Sequence, residues 1–506
     1  MQSIAELLQK GDDAARAIGA TEGATPLRYR ELRQQVERTV ARLNGLGIGR
    51  GDRVAIVLPN GPEMAAAFVA IAAGATTAPL NPGYRAEELE FYLTDLRARA
   101  LVVEAGSASP ARAVAEKLRI PILELRAERA KGAGSFELDA PPGLRGTAER
   151  PGFGGADDTA LVLHTSGTTA RPKIVPLLQR NLLATARHIG QSLALTPADV
   201  CLNIMPLFHI HGLMAAVLSS LGAGAQVCCT PGFNALKFFA WLDEVKPTWT
   251  TAVPTMHQAI LARAARNPEV VARSRLRLIR SSSASLPPQV MEELEKTFRA
   301  PVLESYGMTE AAHQMAANPL PPRSRFPGSV GLAAGPEIAT MDEQGNLLAA
   351  GAIGEVVIRG PNVTPGYEAN PEANAKAFTN GWFRTGDQGV LDAQGYLRLT
   401  GRLKELINRG GEKISPLEVD EILMDHPAVQ QVVTFGMPHD KLGEEVAAAV
   451  VLREGKSATE RELRDFAAGR LADYKVPRRI VLVAEIPKGA TGKLQRIGLA
   501  AKLGLP

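Results

Sequence analysis

The residues that most invite a chemical reading are Thr165-Ser166-Gly167-Thr168-Thr169-Ala170-Arg171-Pro172-Lys173, directly after the apolar run Leu161-Val162-Leu163-His164. Hydroxyls and a glycine in a tight loop offer backbone N–H and side-chain O–H donors to phosphate oxygens, and Lys173 adds a point charge. The stretch is not the P-loop of the common nucleoside triphosphatases, which needs G-x-x-x-x-G-K-[ST]. Two other glycine-rich stretches fail similar tests. Gly489-Ala490-Thr491-Gly492-Lys493 lacks the first glycine and the trailing hydroxyl. Gly45-Leu46-Gly47-Ile48-Gly49-Arg50-Gly51 breaks G-x-G-x-x-G and precedes a strand where that fingerprint follows one. A Ser/Thr/Gly loop alone is also the composition of a plain turn, so its company decides the reading.

The elements that must position this loop are α/β in texture. Leu161–His164 reads as a buried strand. Ala65–Pro82 and Met214–Pro231 share one pattern: a buried helix, a Gly-Ala stop, a short apolar strand and a Pro-bounded loop. The repetition predicts two α/β halves with similar wiring, joined by a surface connection over Lys131–Asp158. From Gly328 short strands with turns at Glu343–Asn346 and Asp392–Gly395 predict a β-rich subdomain. After Gly401 the pattern changes again. Ser415 as cap, Pro416 in the first turn and Glu418 three residues past the serine predict a helix to about Met424. Strands over Gln431–Phe435 and Val446–Leu452 and a helix near Glu460–Leu471 complete a separate α+β domain, linked through Thr400–Asn408.

Composition narrows the classes. The 506 residues carry 57 basic and 53 acidic side chains, a net charge of +4, which is too weak and too well mixed for a nucleic-acid binder. The one basic run, Arg273, Arg275, Arg277 and Arg280, alternates with apolar residues and reads as a strand with one solvated face; contact with an anionic ligand is the second reading. Cys201, Cys228 and Cys229 fit neither a metal motif nor a disulfide framework, which points to a reducing compartment. The N-terminus reads as an amphipathic helix and not a signal peptide. The apolar stretches Met64–Ala73 and Leu213–Leu221 are too short to span a bilayer. A soluble, cytoplasmic protein without stable membrane insertion is expected, either monomer or homodimer.

Five blocks then occur in order: TSGTTARPK (165–173), SYGMTE (Ser305–Glu310), WFRTGD (Trp382–Asp387), GRLKELINRGGEKISP (Gly401–Pro416) and PKGATGK (Pro487–Lys493). Together they resemble the superfamily of acyl-CoA synthetases, peptide-synthetase adenylation domains and luciferases, over nearly the whole chain. The resemblance implies a large N-terminal adenylation domain, residues 1–402, of two α/β halves plus a β-rich part. It is hinged to a small mobile C-terminal domain, residues 403–506. It also implies an AMP-forming reaction in which ATP activates a carboxylate as an acyl-adenylate and the acyl group passes to coenzyme A. Thr165, Ser166, Gly167, Thr168, Thr169 and Lys173 then match the loop that holds the terminal phosphates. Ser305, Tyr306 and Gly307 match the nucleotide-binding block, with Tyr306 against adenine. Thr309 matches a donor to the α-phosphate and Glu310 the Mg²⁺-associated glutamate. Asp387 and Arg402 match the residues that hold the ribose. Lys493 matches the lysine that bridges carboxylate and α-phosphate, Lys404 the hinge, and Gly410-Gly411 the passage of the pantetheine arm. Ala170 and Ile174 stand where glycine is usual, with no catalytic residue lost.

MPLFHIHG (Met205–Gly212), WTTAVPTMHQAIL (Trp249–Leu261), IRSSSASLPP (Ile279–Pro288) and YGMTEAAHQM (Tyr306–Met315) look like the oxalate–CoA ligase branch. A second carboxylate facing an apolar wall would carry a large desolvation cost, so the wall needs donors. His209, Ser283 and His313 are the candidates, with imidazole as a source of a proton or positive charge. Structural readings stand beside them. His209 and His211 also fit a gate and a structural residue of a β segment, His313 a packed helix histidine, and Ser283 a turn cap; His257 reads as structural. Other readings also stay open: a ligase for another short-chain, medium-chain or aryl acid, an enzyme loading a carrier protein, or a non-catalytic nucleotide sensor.

Overall fold

The computed structural model describes residues 2–165, 172–489 and 493–505; Ser166, Gly167, Thr168 and Thr169 of the phosphate-loop reading lie outside them. The two α/β halves are present as two sheets. In one, the strands Ile122–Ala127, Ala100–Glu104, Arg53–Val57, Thr76–Pro79 and Thr159–His164 run parallel in that spatial order, with an antiparallel strand at each edge. In the other, Gln226–Cys229, Val200–Asn203, Trp249–Ala252, Leu278–Ser282 and Val302–Met308 run parallel, and His313–Ala317 returns antiparallel. The helix Pro62–Ala72 and the helical segment His211–Gly222 pack between the sheets, buried from Met64 to Ala72 and from His211 to Leu221. A helix apolar all round is stable only in such a layer.

The predicted β-rich part is an antiparallel sheet of Glu337–Met341, Gly354–Arg359, Phe378–Thr379, Trp382–Leu391 and Leu397–Arg402, with turns at both expected places. The C-terminal α+β part also follows the expected pattern. Ser415 accepts from the Glu418 N–H and starts the helix Pro416–Met424, and the strands Val429–His439 and Gly443–Leu452 pair antiparallel.

Four expectations need correction. The N-terminal helix stops after about two turns, and the chain turns at Gly11 toward the strand Arg16–Gly19, because the Tyr29 ring packs where a side chain on Gly11 would stand. Within the 131–158 connection, Phe136–Asp139 forms an edge strand. His211 lies in a π-helix and not in a β segment, and His313 lies at the start of a strand and not in a helix. The basic run keeps a solvated face only before its strand, where Arg273 and Arg275 are exposed; Arg280 has none. Its strand, Leu278–Ser282, sits between two parallel neighbours and is buried on both sides, with Arg280 at 0% exposure.

Arg277, just before that strand, holds the buried Asp199 through Nε at 2.6 Å and Nη2 at 2.9 Å and donates to the carbonyls of Leu193 and Ala194. Removing it strands a carboxylate that is 4% exposed. Arg277→Ala is therefore expected to destabilise the fold by about 2 kcal/mol, allowing for partial exposure of the arginine. Denaturant unfolding followed by circular dichroism checks this.

Candidate active site

The carboxyl ends of the parallel strands open into one cavity of about 490 Å³, where ligands of open α/β sheets ordinarily bind. The strand ending at His164 delivers Thr165, the one ending at Ser282 delivers Ser283, and the one ending at Met308 delivers Thr309. Asp387 and Arg402 come from paired positions of the β-rich sheet. Ser283, Ser305, Tyr306, Gly307, Thr309, Asp387, Arg402, His209 and Lys493 all line this cavity.

At one end, Arg402 Nε donates to Asp387 Oδ1 at 2.9 Å and the Tyr306 hydroxyl donates to Oδ2 at 2.5 Å. The Asp387 carboxylate is thus oriented from both sides. It holds Arg402 more firmly charged than usual, and burial keeps the Tyr306 phenol protonated. Ser305 Oγ is buried with no hydrogen-bond partner among the described residues, a donor in reserve. Gly307 has a steric reason: a Cβ there would lie 1.8 Å from the carbonyl oxygen of His313 on the returning strand.

Thr165 and Lys173 close the neck of the predicted phosphate loop. Thr165 N–H donates to the Lys173 carbonyl at 2.9 Å and Lys173 N–H to Thr165 Oγ1 at 3.2 Å. Lys173 Nζ lies 4.3 Å from the centre of the Tyr367 ring, and the Tyr367 hydroxyl donates to Glu310 Oε1 at 2.9 Å. Burial raises the Glu310 carboxyl above its usual range, so a cation beside it would be welcome. Among the described residues no group of three His, Cys, Asp or Glu forms a metal cage. A divalent ion at Glu310 would have to complete its shell with phosphate oxygens and water, as hard cations at nucleotide sites do. Tyr367 had no signal in the sequence reading.

The other end is a wall of donors. The His211 N–H donates to His209 Nδ1 at 3.2 Å, so the proton of a neutral His209 sits on Nε2. His211 Nδ1 is 3.0 Å from Ser283 Oγ, and its Nε2 is 2.6 Å from the Thr251 hydroxyl. His313 is 1% exposed, lies behind this wall and packs its ring 4.9 Å from that of His211. Burial holds all three imidazoles neutral, His209 at about 3 and the other two well below the usual range. Of the two contributions expected of imidazole, a proton or a positive charge, burial favours the proton, and of the three only His209 lines the cavity. Ser283 (φ 77°) and His313 (φ 109°) both hold backbone conformations rare for L side chains, and such strain clusters at functional sites. His257 is buried against the Arg280 carbonyl, in keeping with a structural part.

Lys493 enters from the C-terminal part. Gly489 N–H donates to its carbonyl at 2.8 Å, and three residues on Arg496 is anchored by Asp420 at 2.6 Å, Glu405 at 3.4 Å and the Thr434 carbonyl at 2.9 Å. The ammonium thus reaches the cavity on a braced segment. Lys404 is exposed in the turn after Arg402. Gly410 (φ 60°) and Gly411 (φ 98°) form the two-residue turn between the strands Ile407–Arg409 and Glu412–Ile414, outside the cavity lining. Two successive left-handed residues are what such a hairpin requires, which is a sufficient local reason for both glycines.

Comparison with known proteins agrees with this geometry. The family described as AMP-binding enzyme matches residues 8–368, and the AMP-binding enzyme C-terminal domain matches 418–493. The chain is 46% identical to an oxalate–CoA ligase of Arabidopsis thaliana, covering 98% of this chain and 97% of that one. It is 41% identical to an oxalate–CoA ligase of Saccharomyces cerevisiae, covering 88% and 86%. Among solved structures, ATP-bound MatB from Rhodopseudomonas palustris superposes with a TM-score of 0.85 at 31% identity, covering 97% and 96%. The apo form of that protein scores 0.77.

Burial first, and the charge of Arg402 second, lower the Lys493 ammonium to about 8. Its positive charge is complete below that value and is lost as pH rises through it. If the cation serves the first chemical step, kcat/KM for the acid is expected to fall about tenfold per pH unit above about 8. A pH profile of pyrophosphate release checks this, with Lys493→Arg expected to move the descending limb to higher pH.

Proposed function

The chain belongs to the AMP-binding enzyme family, and on that premise we propose that it is an acid–thiol ligase that joins oxalate to coenzyme A through oxalyl-adenylate. The observation that carries the reading is one cavity shared by Lys493, the Tyr306–Asp387–Arg402 cluster and the donor wall of His209 and Ser283. The length over which the chain follows the two named oxalate–CoA ligases supports the choice of acid.

In the first half-reaction a carboxylate oxygen of the acid attacks the α-phosphorus of ATP. The new P–O bond forms as the bond to pyrophosphate breaks, giving acyl-AMP. Asp387 and Arg402 hold the ribose, Tyr306 lies against the base, Ser305 and Gly307 border it, and Thr309 donates to the α-phosphate. Thr165, Ser166, Gly167, Thr168, Thr169 and Lys173 take the departing phosphates. Glu310 would hold a magnesium ion, which when bound neutralises phosphate charge. Lys493 donates to the attacking carboxylate and the α-phosphate together, a task suited to a compact ammonium on a flexible stem. His209 and Ser283 donate to the second carboxylate.

In the second half-reaction the sulfur of coenzyme A attacks the acyl carbonyl, the thiol proton is released, and the C–O bond to AMP breaks. In this proposal Lys493, which lines the cavity, must leave before the thiol can enter. The C-terminal part, residues 403–506, therefore turns about Lys404 and carries the lysine away, bringing the Gly410-Gly411 turn toward the pantetheine arm. Three buried free cysteines suit a reducing compartment such as the cytoplasm.

AMP formation with oxalate, malonate, hexanoate and coumarate tests the acid. Oxalate is expected to be turned over best, and equal or better turnover of hexanoate would remove the assignment. Lys493→Ala is expected to lower pyrophosphate release more than about 10²-fold while leaving thioester formation from supplied acyl-AMP within a fewfold. Equal loss in both assays would contradict the two-state scheme.

A further inference from the structure

Arg280 is a fully buried guanidinium in the middle of a central parallel strand, and no carboxylate among the described residues pairs with it. Its neighbours are all neutral. Nη1 faces His211 Nε2 at 3.4 Å, Thr251 Oγ1 at 3.4 Å and His313 Nε2 at 3.5 Å, and Nη2 faces Gln314 Oε1 at 3.4 Å. Every one of these contacts is longer than an ordinary hydrogen bond, and Nε has no partner among the described residues. Burying a cation without an anion carries a large desolvation cost, and burial does lower this group, to about 9, against the usual permanence of arginine. A fold keeps such a group where an anion completes it.

The direction in which that charge acts is set by the hydrogen bonds in front of it. A guanidinium only donates, so the nitrogens facing it, Nε2 of His211 and of His313, accept, and a neutral ring then carries its proton on Nδ1. Nδ1–H of His211 donates to Ser283 Oγ at 3.0 Å. With that lone pair taken, the Ser283 hydroxyl proton is left to point into the cavity, which Ser283 lines and Arg280 does not. The Thr251 hydroxyl, which accepts from Arg280, has its proton available for His211 Nε2 at 2.6 Å, which is compatible with the same ordering. Gln314 is also fixed: its amide nitrogen donates to Ser192 Oγ and the Ala334 carbonyl, which leaves only its oxygen for Arg280. The positive φ values of Ser283 and His313 bring both residues against this cluster at a cost in strain.

We propose that Arg280 is the fixed positive charge of the acyl subsite, acting through His211 and Ser283 to hold the second carboxylate of a dicarboxylate substrate. It is a positioning residue, one side chain behind the wall. It orders the donors, and its charge, acting through a dry layer, favours an anion over a neutral group of equal size at that spot. The inference rests on the reading that the acid carries a second carboxylate.

The test compares oxalate with oxamate, which has a neutral amide in place of the second carboxylate. The wild-type chain is measured first: it is expected to prefer oxalate over oxamate in kcat/KM by more than tenfold, and equal use of the two would overturn the proposal. Arg280→Met is expected to cut that preference at least tenfold through KM for oxalate, with KM for ATP within about twofold. Arg280→Gln keeps a donor beside His211 without the charge, and is expected to lose the preference as well; it stands as the second variant should Met not fold. Arg280→Lys is expected to restore part of it. A variant that folds and loses activity equally on both acids, or weakens ATP in step, would make Arg280 structural and overturn the proposal. Absence of oxalate turnover by the wild-type chain would instead sink the choice of acid, and malonate with malonamate then take the places of the first pair.

Discussion

The proposed chemistry has to overcome one repulsion: a carboxylate must approach a phosphate closely enough to bond. Two unit charges at 4 Å repel by about 4 kcal/mol at the effective dielectric of a protein surface, and more where water is excluded. The cavity meets this with cations delivered by separate parts of the chain. Lys173 stands at the neck of the phosphate loop, Arg402 at the end of a strand in the β-rich sheet, and Lys493 on a segment braced by Arg496. Arg402 and Lys493 line one cavity from two separate parts of the chain, with Lys173 beside it over the Tyr367 ring, so the site exists only as a property of the assembled chain.

The parallel sheets supply the rigid side of that arrangement. Three of their strands place one short polar residue each at the rim, Thr165, Ser283 and Thr309, without spending a long loop on it. Close packing there is tight enough to dictate residue type. Gly307 yields its side-chain space to His313, and the returning strand is thereby drawn against the strand that carries Tyr306. The buried helical layer between the sheets, Pro62–Ala72 and His211–Gly222, then fixes the imidazole of His211 beneath Ser283.

Much of this was legible in the sequence because it was written in local chemistry. Strand and helix periods, the Ser415 cap and the turn residues predicted the layers, and five ordered blocks resembling one superfamily pointed to the nucleotide end. What escaped had nonlocal causes. The alternation around Arg280 looks like a half-solvated strand, and only its place between two parallel neighbours buries both faces. Tyr367 is linked to Glu310 across 57 residues, and no periodicity marks it. The neutrality of the histidines follows from burial and from one another's fields, which a list of residues does not contain. The glycines at 410 and 411, conversely, were legible as special, but a hairpin turn accounts for them locally.

The two ends of the acyl site differ in a way the two half-reactions demand. In the proposed scheme Lys493 is a mobile charge: it sits on the C-terminal part and is needed only while the carboxylate meets the phosphate. A substrate held solely by that lysine would lose its counter-charge when the lysine withdraws, at the moment the acyl-adenylate must stay in place for the thiol. Arg280 lies in a central strand of the N-terminal part and cannot leave with it. In that scheme a fixed cation behind a neutral donor wall would keep the far carboxylate anchored through both states, while the near one changes partners. Charged histidines at that wall would repel the incoming lysine, so their neutrality is what allows the mobile and the fixed charge to share one small cavity.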